Sequence, residues 1–314
     1  MDSQTTVLKP KRNLWRDIKR HRSIYLLLLI PMAYFIIFKY IPIWKGQIAF
    51  KNFMPRKGVL GSEWVGLANF QEFFHSFYFW ELLRNTIMYS VGKLLISVPL
   101  SIILAVSLYE CRIKVLRKTV QTLTYLPHFL SWLFVSYFGM AFLSVNKGLV
   151  NQVLSALGRD PVQWYMSPQY WPYILIGANL WKNVGYGMVL YLASITNIDT
   201  TLYEAAVVDG ATKWQQVRYI TLPMLKPMAI ILFILSLGGI FHSDFGLFYI
   251  MPRDQGALVN VTQTIDVYVY KALMRMNNIG FASAAAFLQS IFGFVTIYTA
   301  NYIVKRLDPE RGLF

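Results

Sequence analysis

The apolar positions of this chain gather into long runs, not the narrow one-faced stripes of helices in a soluble domain. Six runs stand out, at about residues 24–44, 86–109, 120–143, 172–193, 228–250 and 283–304. Each approaches or exceeds the roughly 20 residues with which a helix crosses a bilayer. The pattern therefore predicts an all-α polytopic membrane protein with six transmembrane helices. Pro31 and Pro42 lie inside the first run and Pro127 breaks the third. Neighbouring helices tolerate such prolines by re-satisfying the freed carbonyls. Between the first two runs, residues 45–84 form an outer segment. There Phe70, Phe73, Phe74, Phe77, Trp80 and Leu83 recur at helical spacing, which predicts an interfacial helix packed over the bundle. Residues 266–275 read as a second short outer helix.

One polar stretch breaks the pattern. Residues 195–227, ITNIDTTLYEAAVVDGATKWQQVRYITLPMLKP, are far longer than a connection between two spans requires, and they carry helix signals of their own. Asp199 or Thr201 can act as N-cap, and Thr201 with Glu204 fits a capping box. Tyr203, Ala205, Ala206 and Val208 continue that helix, and Gly210 is placed to end it. A second short segment follows over 212–220, before Leu222-Pro223. The small residues at 205, 206 and 211 allow a partner to approach closely.

Charge sets the orientation. Lys and Arg number 17 in the segments assigned to the inside and 10 in the longer outer ones. This bias puts both termini and the 195–227 loop in the cytoplasm. The formal net charge of +15 does not indicate nucleic acid, because the basic residues sit beside the spans, as Lys9, Lys11, Arg12, Arg16, Lys19, Arg20 and Arg22 do before the first. The chain is 56% hydrophobic and 14% charged, a balance that excludes an ordinary soluble domain. A lone Cys111 excludes an intrachain disulfide and a cysteine metal cluster. The first apolar run is too long for a cleavable signal and no small-residue cleavage site follows it. The division is then 1–84 for the basic N-terminus, first span and outer cover, 85–304 for the main transmembrane bundle, and 305–314 for a cytoplasmic tail.

Polar groups inside apolar runs are expensive and mark function or helix pairing. The fourth run carries Asn179, Trp181, Lys182, Asn183 and Tyr186; the fifth carries His242, Ser243 and Asp244. The third carries His128, Ser131 and Trp132, and the sixth Gln289 and Asn301. Aromatic rings beside amides suit sugars, since rings cover the apolar face and amides bond hydroxyls. His128, Trp132, Asn179, Lys182, Asn183, Tyr186, His242, Asp244 and Gln289 are the candidate substrate path. The competing reading is structural: Asn and Ser bond across helices, and Lys182 pairs with Asp244. Lys182 would also suit an anionic sugar such as a uronate oligomer. Lys93 reads as a snorkelling or bundle-facing lysine. No P-loop is present, since Gly92-Lys93 lacks both the earlier glycine and a following Ser or Thr. The four histidines are scattered, and neither a metal site nor a catalytic constellation is predicted. Energy must come from a partner ATPase or from an ion gradient.

Glu204-Ala205-Ala206, Gly210 and Ile220-x-Leu222-Pro223 resemble the EAA signature of binding-protein-dependent ABC importer permeases. The fuller run from Leu202 to Pro227 is similar to the carbohydrate-uptake, maltose-type branch, and the run from Tyr125 to Trp132 looks closest to permeases for complex oligosaccharides. Asn85-Thr86, Leu126-Pro127 and Gly148-Leu149-Val150-Asn151 also sit where the family has similar patterns. Asp199 departs from the Pro that many relatives have, and still starts a helix as an N-cap. The resemblance implies a cytoplasmic coupling helix between spans four and five that docks on a separate ATPase through Tyr203, Glu204, Ala205, Ala206, Asp209, Gly210, Leu222 and Pro223. It also implies a second, different permease subunit, two ATPase subunits that hold the ATP and Mg, an external solute-binding protein, and an oligosaccharide moved by alternating access across a bacterial cytoplasmic membrane. This chain would bind no cofactor itself. Two rivals remain at this point: an ion-coupled secondary transporter, which would show inverted repeats, and a membrane scaffold without transport.

Overall fold

The computed structural model describes residue 19 and residues 21–307. The basic N-terminal stretch before Lys19 and the tail beyond residue 307 lie outside the described residues. Among the described residues, four helices are long and apolar enough to cross a membrane: α1 (Arg22–Phe50), α3 (Phe79–Glu110), α9 (Lys213–Gly238) and α11 (Ile279–Leu307, spanning to Arg306). The pair α4 (Lys114–Tyr125) and α5 (Trp132–Leu143) makes a fifth when taken as one span, bent by 105°. The remaining element of spanning length, α7 (Trp171–Thr196), has 26 residues. Asn179, Lys182 and Asn183 dilute its apolar content, and α7 is not among the helices that qualify by composition.

The short elements decorate this bundle. Helix α1 is exposed along its apolar stretch and ends in a 3-10 turn that packs Ala49 with Phe70, Ala284 and Phe287. Two short strands, β1 (Lys51–Asn52) and β2 (Glu63–Trp64), pair antiparallel, so the chain is not wholly helical. The outer aromatic segment forms two pieces instead of one helix. Helix α2 (Ala68–Phe74) stops at His75, and α3 restarts at Phe79. The break lets Phe73 and Phe79 meet edge-on at 5.3 Å and pack with Leu82, Ile265 and Phe281, while Phe77 and Trp80 stay exposed. This satisfies burial for part of the stripe only. Helix α6 (Leu149–Ala156) follows α5, and Asn151 clamps the loop after it by accepting from Val162 N and Trp164 Nε1 and donating to Val162 O. The outer helix expected near 266–275 is α10 (Ile265–Met274).

Helix α7 is the centre of the fold, lying along α3 and crossing α4. Toward its C-terminal end it buries Met188, Tyr191, Leu192 and Ile195 against Ala105 and Leu108 of α3 and Leu225 of α9. Toward its N-terminal end Trp171 and Leu175 pack with Tyr89, Leu247 and Phe248. The fifth apolar run is not one helix. Helix α9 ends at Gly238, the backbone is irregular from 239 to 244, and a single π-helical turn covers Gly246–Ile250. Gly238 lies against Ile297 and Gly293 of α11 so closely that a Cβ at Gly293 would sit 2.8 Å from the Gly238 carbonyl oxygen. Non-helical backbone at membrane depth is tolerated only where protein buries it or where it lines a cavity.

Candidate functional site

The polar hairpin is built from its caps. Asp199 Oδ1 accepts the Thr201 N–H at 2.9 Å and starts α8 (Thr200–Val208). That hydrogen bond from the Thr201 backbone holds the Asp199 carboxyl below its ordinary range. The Thr201–Glu204 box does not form: the cap is Asp199, whose side chain takes the Thr201 N–H. The capping box is at Thr212 and Gln215 instead, opening the turn Lys213–Gln216. Helix α8 closes as the pattern predicts. Ala211 N–H reaches Ala206 O at 2.8 Å and Gly210 N–H reaches Val207 O at 3.1 Å, with Gly210 at φ +78°. Beyond the hairpin, a π-helical turn (Val217–Thr221) leads into the rest of α9, so Leu222-Pro223 opens a helical segment and does not end the loop.

The hairpin is tied to the bundle at three points. Tyr203 Oη lies 3.0 Å from Thr221 Oγ1, its ring is 6.1 Å from that of Tyr109, and Lys213 Nζ is 3.3 Å from Glu110 at the end of α3. Its outer surface is exposed and partly apolar: Val208 is 87% exposed and Trp214 68%. Glu204, Ala205, Asp209 and Gly210 share that exposure, and Ala206 and Tyr203 are half-buried. Two exposed valines on a nine-residue helix leave an unburied apolar face, Val207 and Val208, next to acidic Asp209.

The second constellation lies where α4–α5 break beside α7. Asn179, Lys182, Asn183 and Tyr186 recur at helical spacing on α7. His128 stacks on Tyr186 with ring centroids 4.6 Å apart and planes 13° apart, and its Nδ1 is 3.2 Å from Asn183 Oδ1. Tyr125 extends the stack. Lys182 turns the other way. Its Nζ donates to the carbonyls of Leu130 at 2.6 Å, His128 at 2.7 Å and Pro127 at 3.4 Å. An ammonium has three donors, and here they reach the carbonyls at the helix break; Pro127 O also accepts the Leu130 N–H at 3.1 Å, so His128 O and Leu130 O are the two that Lys182 satisfies among the described residues. The ammonium also lies 5.6 Å from the Trp132 ring.

Trp132 Nε1 donates to Asp244 Oδ2 at 2.6 Å, while Asp244 Oδ1 accepts from Gly246 N at 3.0 Å. Lys182 and Asp244 therefore flank the same indole, and among the described residues they form no direct ion pair. The Lys182–Asp244 pairing of the competing structural reading gives way to carbonyl capping on one side and indole and backbone contacts on the other. Next to Asp244, Ser243 donates from N and Oγ to Asp266 Oδ2 at 2.6 and 3.0 Å, and His242 Nδ1 lies 3.5 Å from Asp266 Oδ1. Gln289 Nε2 donates to Phe241 O at 2.7 Å, tying the irregular segment to α11. Gln289 and Lys182 thus hold backbone, and His128, Asn183 and Tyr186 form one cluster.

Asn179 and His242 belong to a third group. With Ser90, Lys93, Leu94 and Ser97 of α3, and Ser236 and Gly239, they line a cavity of about 200 Å³. Ser90, Lys93 and Ser97 were not among the sequence candidates, although their i, i+3, i+7 spacing marks one polar face on an apolar span. A larger cavity, about 550 Å³, lies between α5 and α7, and its lining from Val135, Phe138, Phe142 and Trp181 is almost wholly apolar. It contains none of the polar groups and is not a sugar site.

Comparison with known proteins agrees with this geometry. Residues 97–309 match the family described as "Binding-protein-dependent transport system inner membrane component". The chain is 34% identical over 302 residues to the polygalacturonan/rhamnogalacturonan transport system permease protein YteP of Bacillus subtilis (strain 168), covering 96% of this chain and 93% of that one. Among solved structures, a bacterial ABC transporter involved in import of the acidic polysaccharide alginate superposes with a TM-score of 0.86 at 35% identity, covering 95% of this chain and 100% of its counterpart. A bacterial alginate ABC transporter in complex with an alginate pentasaccharide-bound periplasmic protein gives 0.85 at 34% identity, covering 94% and 98%. A transport permease that carries its polar hairpin between an interrupted span and a polar central helix is what these matches and the geometry describe together, and the chain belongs to the binding-protein-dependent transport system inner membrane component family.

Proposed function

We propose that this chain is one transmembrane permease subunit of an ATP-driven importer of oligosaccharides in a bacterial cytoplasmic membrane. In this reading six helices cross the bilayer, with α4–α5 as one bent span and α7 included despite its polar residues. Both termini and the hairpin face the cytoplasm. The chain pairs with a second, different permease and with two ATPase subunits that carry ATP and Mg, and it receives sugar from an external binding protein. Support comes from the relatives, whose names specify import of oligosaccharides and polysaccharides, one of them with a periplasmic protein.

One observation carries the mechanism. The hairpin exposes Val207, Val208 and the small residues Ala205 and Gly210 on the side away from the bundle, while Tyr203 and Lys213 fasten its other side to Thr221 and Glu110. A surface fastened behind and apolar in front suits a lever gripped by a partner. ATP binding would close the ATPase pair, carry the hairpins inward and tip the bundle from inward-open to outward-open. The test is a cysteine at Val208 in the assembled transporter, followed by oxidative crosslinking. A product with a nucleotide-hydrolysing subunit that changes yield on ATP addition is expected. No such product, or labelling of the cysteine from outside the cell, refutes the reading.

A further inference from the structure

We infer that Lys93 reads a carboxylate of the transported sugar in a one-unit subsite between α3, α7 and the irregular segment after Gly238, which makes the substrate an acidic oligosaccharide. This rests on the proposed transport function and deepens it. The two lysines inside the bundle differ in what their charges do. Lys182 spends its three donors on three carbonyls. Lys93 Nζ forms no hydrogen bond or ion pair among the described residues; it lies 5.6 Å from the Phe248 ring and lines the polar cavity.

Snorkelling does not account for it. Lys93 is seven residues below Thr86, where the apolar run begins, so it lies roughly 10 Å inside at about 1.5 Å per residue. A four-carbon stem reaches about 6 Å. The cation stays at depth, where an unpaired charge is costly and marks a binding function.

The walls suit a sugar. Ser90, Ser97 and Ser236 bring hydroxyls, Asn179 an amide and His242 an imidazole. The backbone that lacks helical bonds after Gly238 passes the same cavity, the arrangement in which interrupted helices hold ligands. At about 200 Å³ the space is smaller than the roughly 300–1,000 Å³ of drug-sized sites. It takes one sugar unit, not a chain. The two carboxylates that act on Lys93 electrostatically, Asp244 and Asp266, are turned elsewhere: Asp244 to Trp132 and Gly246, Asp266 to Ser243 and His242. They compensate the ammonium without occupying it, leaving its donors for a ligand oxygen.

The experiment measures uptake by the complete transporter, with its binding protein, in proteoliposomes. The probes are oligogalacturonate and oligomannuronate pentamers and their carboxyl-reduced neutral counterparts. The same binding protein serves every variant, so its own selectivity cancels. Lys93→Gln should raise the half-saturating concentration for at least one acidic pentamer roughly ten- to a hundred-fold, the effect of losing one charged hydrogen bond. Its effect on the matching neutral pentamer should be small, and Lys93→Arg should keep the acidic preference. An equal loss for acid and neutral sugar, no change for either, or an Arg variant as defective as Gln overturns the assignment. A wild-type transporter that moves neutral and refuses acidic pentamers overturns it too, while leaving the oligosaccharide importer intact. One that moves none of the probes counts against the transport reading itself.

Discussion

Gly185 is the tightest helix crossing in the bundle and gives the most discriminating test of the packing. A Cβ built there overlaps the carbonyl group of Thr124 on α4 and lies 2.8 Å from Tyr125 N. Carbon atoms in contact prefer about 3.5–4.0 Å, and the obstacle is backbone, so α4 and α7 must separate by more than an ångström. Two effects compete in Gly185→Ala. Replacing glycine in a helix interior gains up to about 1 kcal/mol, whereas overpacking costs about 1–3 kcal/mol and occasionally more. Separation carries a further cost, because Lys182 lies one turn away and its bonds to Leu130 O and His128 O, 2.6 and 2.7 Å, depend on the same crossing. Hydrogen bonds to charged groups contribute about 1.5–3 kcal/mol each. Loss therefore wins, by at least about 2 kcal/mol. Gly92→Ala is the control. Its Cβ would meet only the tip of Ile176 at 3.4 Å, an ordinary contact at the α3–α7 interface, so it should be neutral or slightly stabilising. Thermal unfolding of both variants in nanodiscs, read by tryptophan fluorescence, checks this. A Gly185→Ala protein as stable as Gly92→Ala would refute the crossing.

Three further outcomes are expected. Gly210→Val forces a β-branched residue to φ +78°, where even an unbranched L-residue costs about 1–2 kcal/mol. It should leave the spans assembled but misdirect the hairpin, so that ATP hydrolysis no longer drives uptake; uptake and hydrolysis measured together in proteoliposomes decide it. Lys182→Met should leave two carbonyls, His128 O and Leu130 O, unsatisfied and lower thermal stability by at least about 2 kcal/mol, without changing the preference between acidic and neutral sugars, the reverse of Lys93→Gln. Asp254 binds Lys271 at 2.6 Å and also bonds Arg275. Burial alone would raise its carboxyl, but those two cations hold it below the ordinary range. A depressed carboxyl stabilises above its unfolded value of about 3.9 and loses that contribution as pH falls through the lower folded value. The stability gap between wild type and Asp254→Asn should therefore be constant near neutrality and close below about pH 4, measured by thermal unfolding across pH.

Element existence was readable from the chain where one local signal decided it. Gly210 ends α8 because a left-handed residue was required and only glycine adopts it without strain. The short helix read at 266–275 is α10. The failures share a cause: a tertiary contact settled a matter the local pattern left open. Thr201 and Asp199 both qualified as caps, and the Asp199 geometry prevailed. Residues 228–250 read as one apolar run, but the helix ends at Gly238, where Gly293 of α11 approaches its backbone. The aromatic outer stripe divided because Phe73 and Phe79 could be buried only by a turn between them. Lys182 and Asp244 were selected for their charge, and their partners, three carbonyls and an indole, are backbone and aromatic groups that charge counting does not reveal. Lys93 was passed over because one buried lysine looks alike whether it snorkels or binds; only its place among Ser90, Ser97 and Asn179 distinguishes the two.

Helix α9 joins the hairpin to the polar cavity. Helix α9 begins at Lys213, within the hairpin, and ends at Gly238, beside the cavity. Its 26 residues cover roughly 39 Å at about 1.5 Å each. The π-helical turn at Val217–Thr221 keeps that helix continuous where the hairpin joins it, and Thr221 is fastened to Tyr203. At the far end, Gly238 packs against Gly293 and the Ile297 side chain of α11, so movement of α9 there must be accommodated by that side chain. A displacement imposed on the hairpin would reach Ser236 and Gly239 along α9, through its π-helical turn and past Pro223 and Pro227, and would change the walls around Lys93. Coupling of this kind requires an element with two arrangements that both sites bias, and the irregular segment from 239 to 244, held by Asp266 on one side and Gln289 on the other, is where the second arrangement would form.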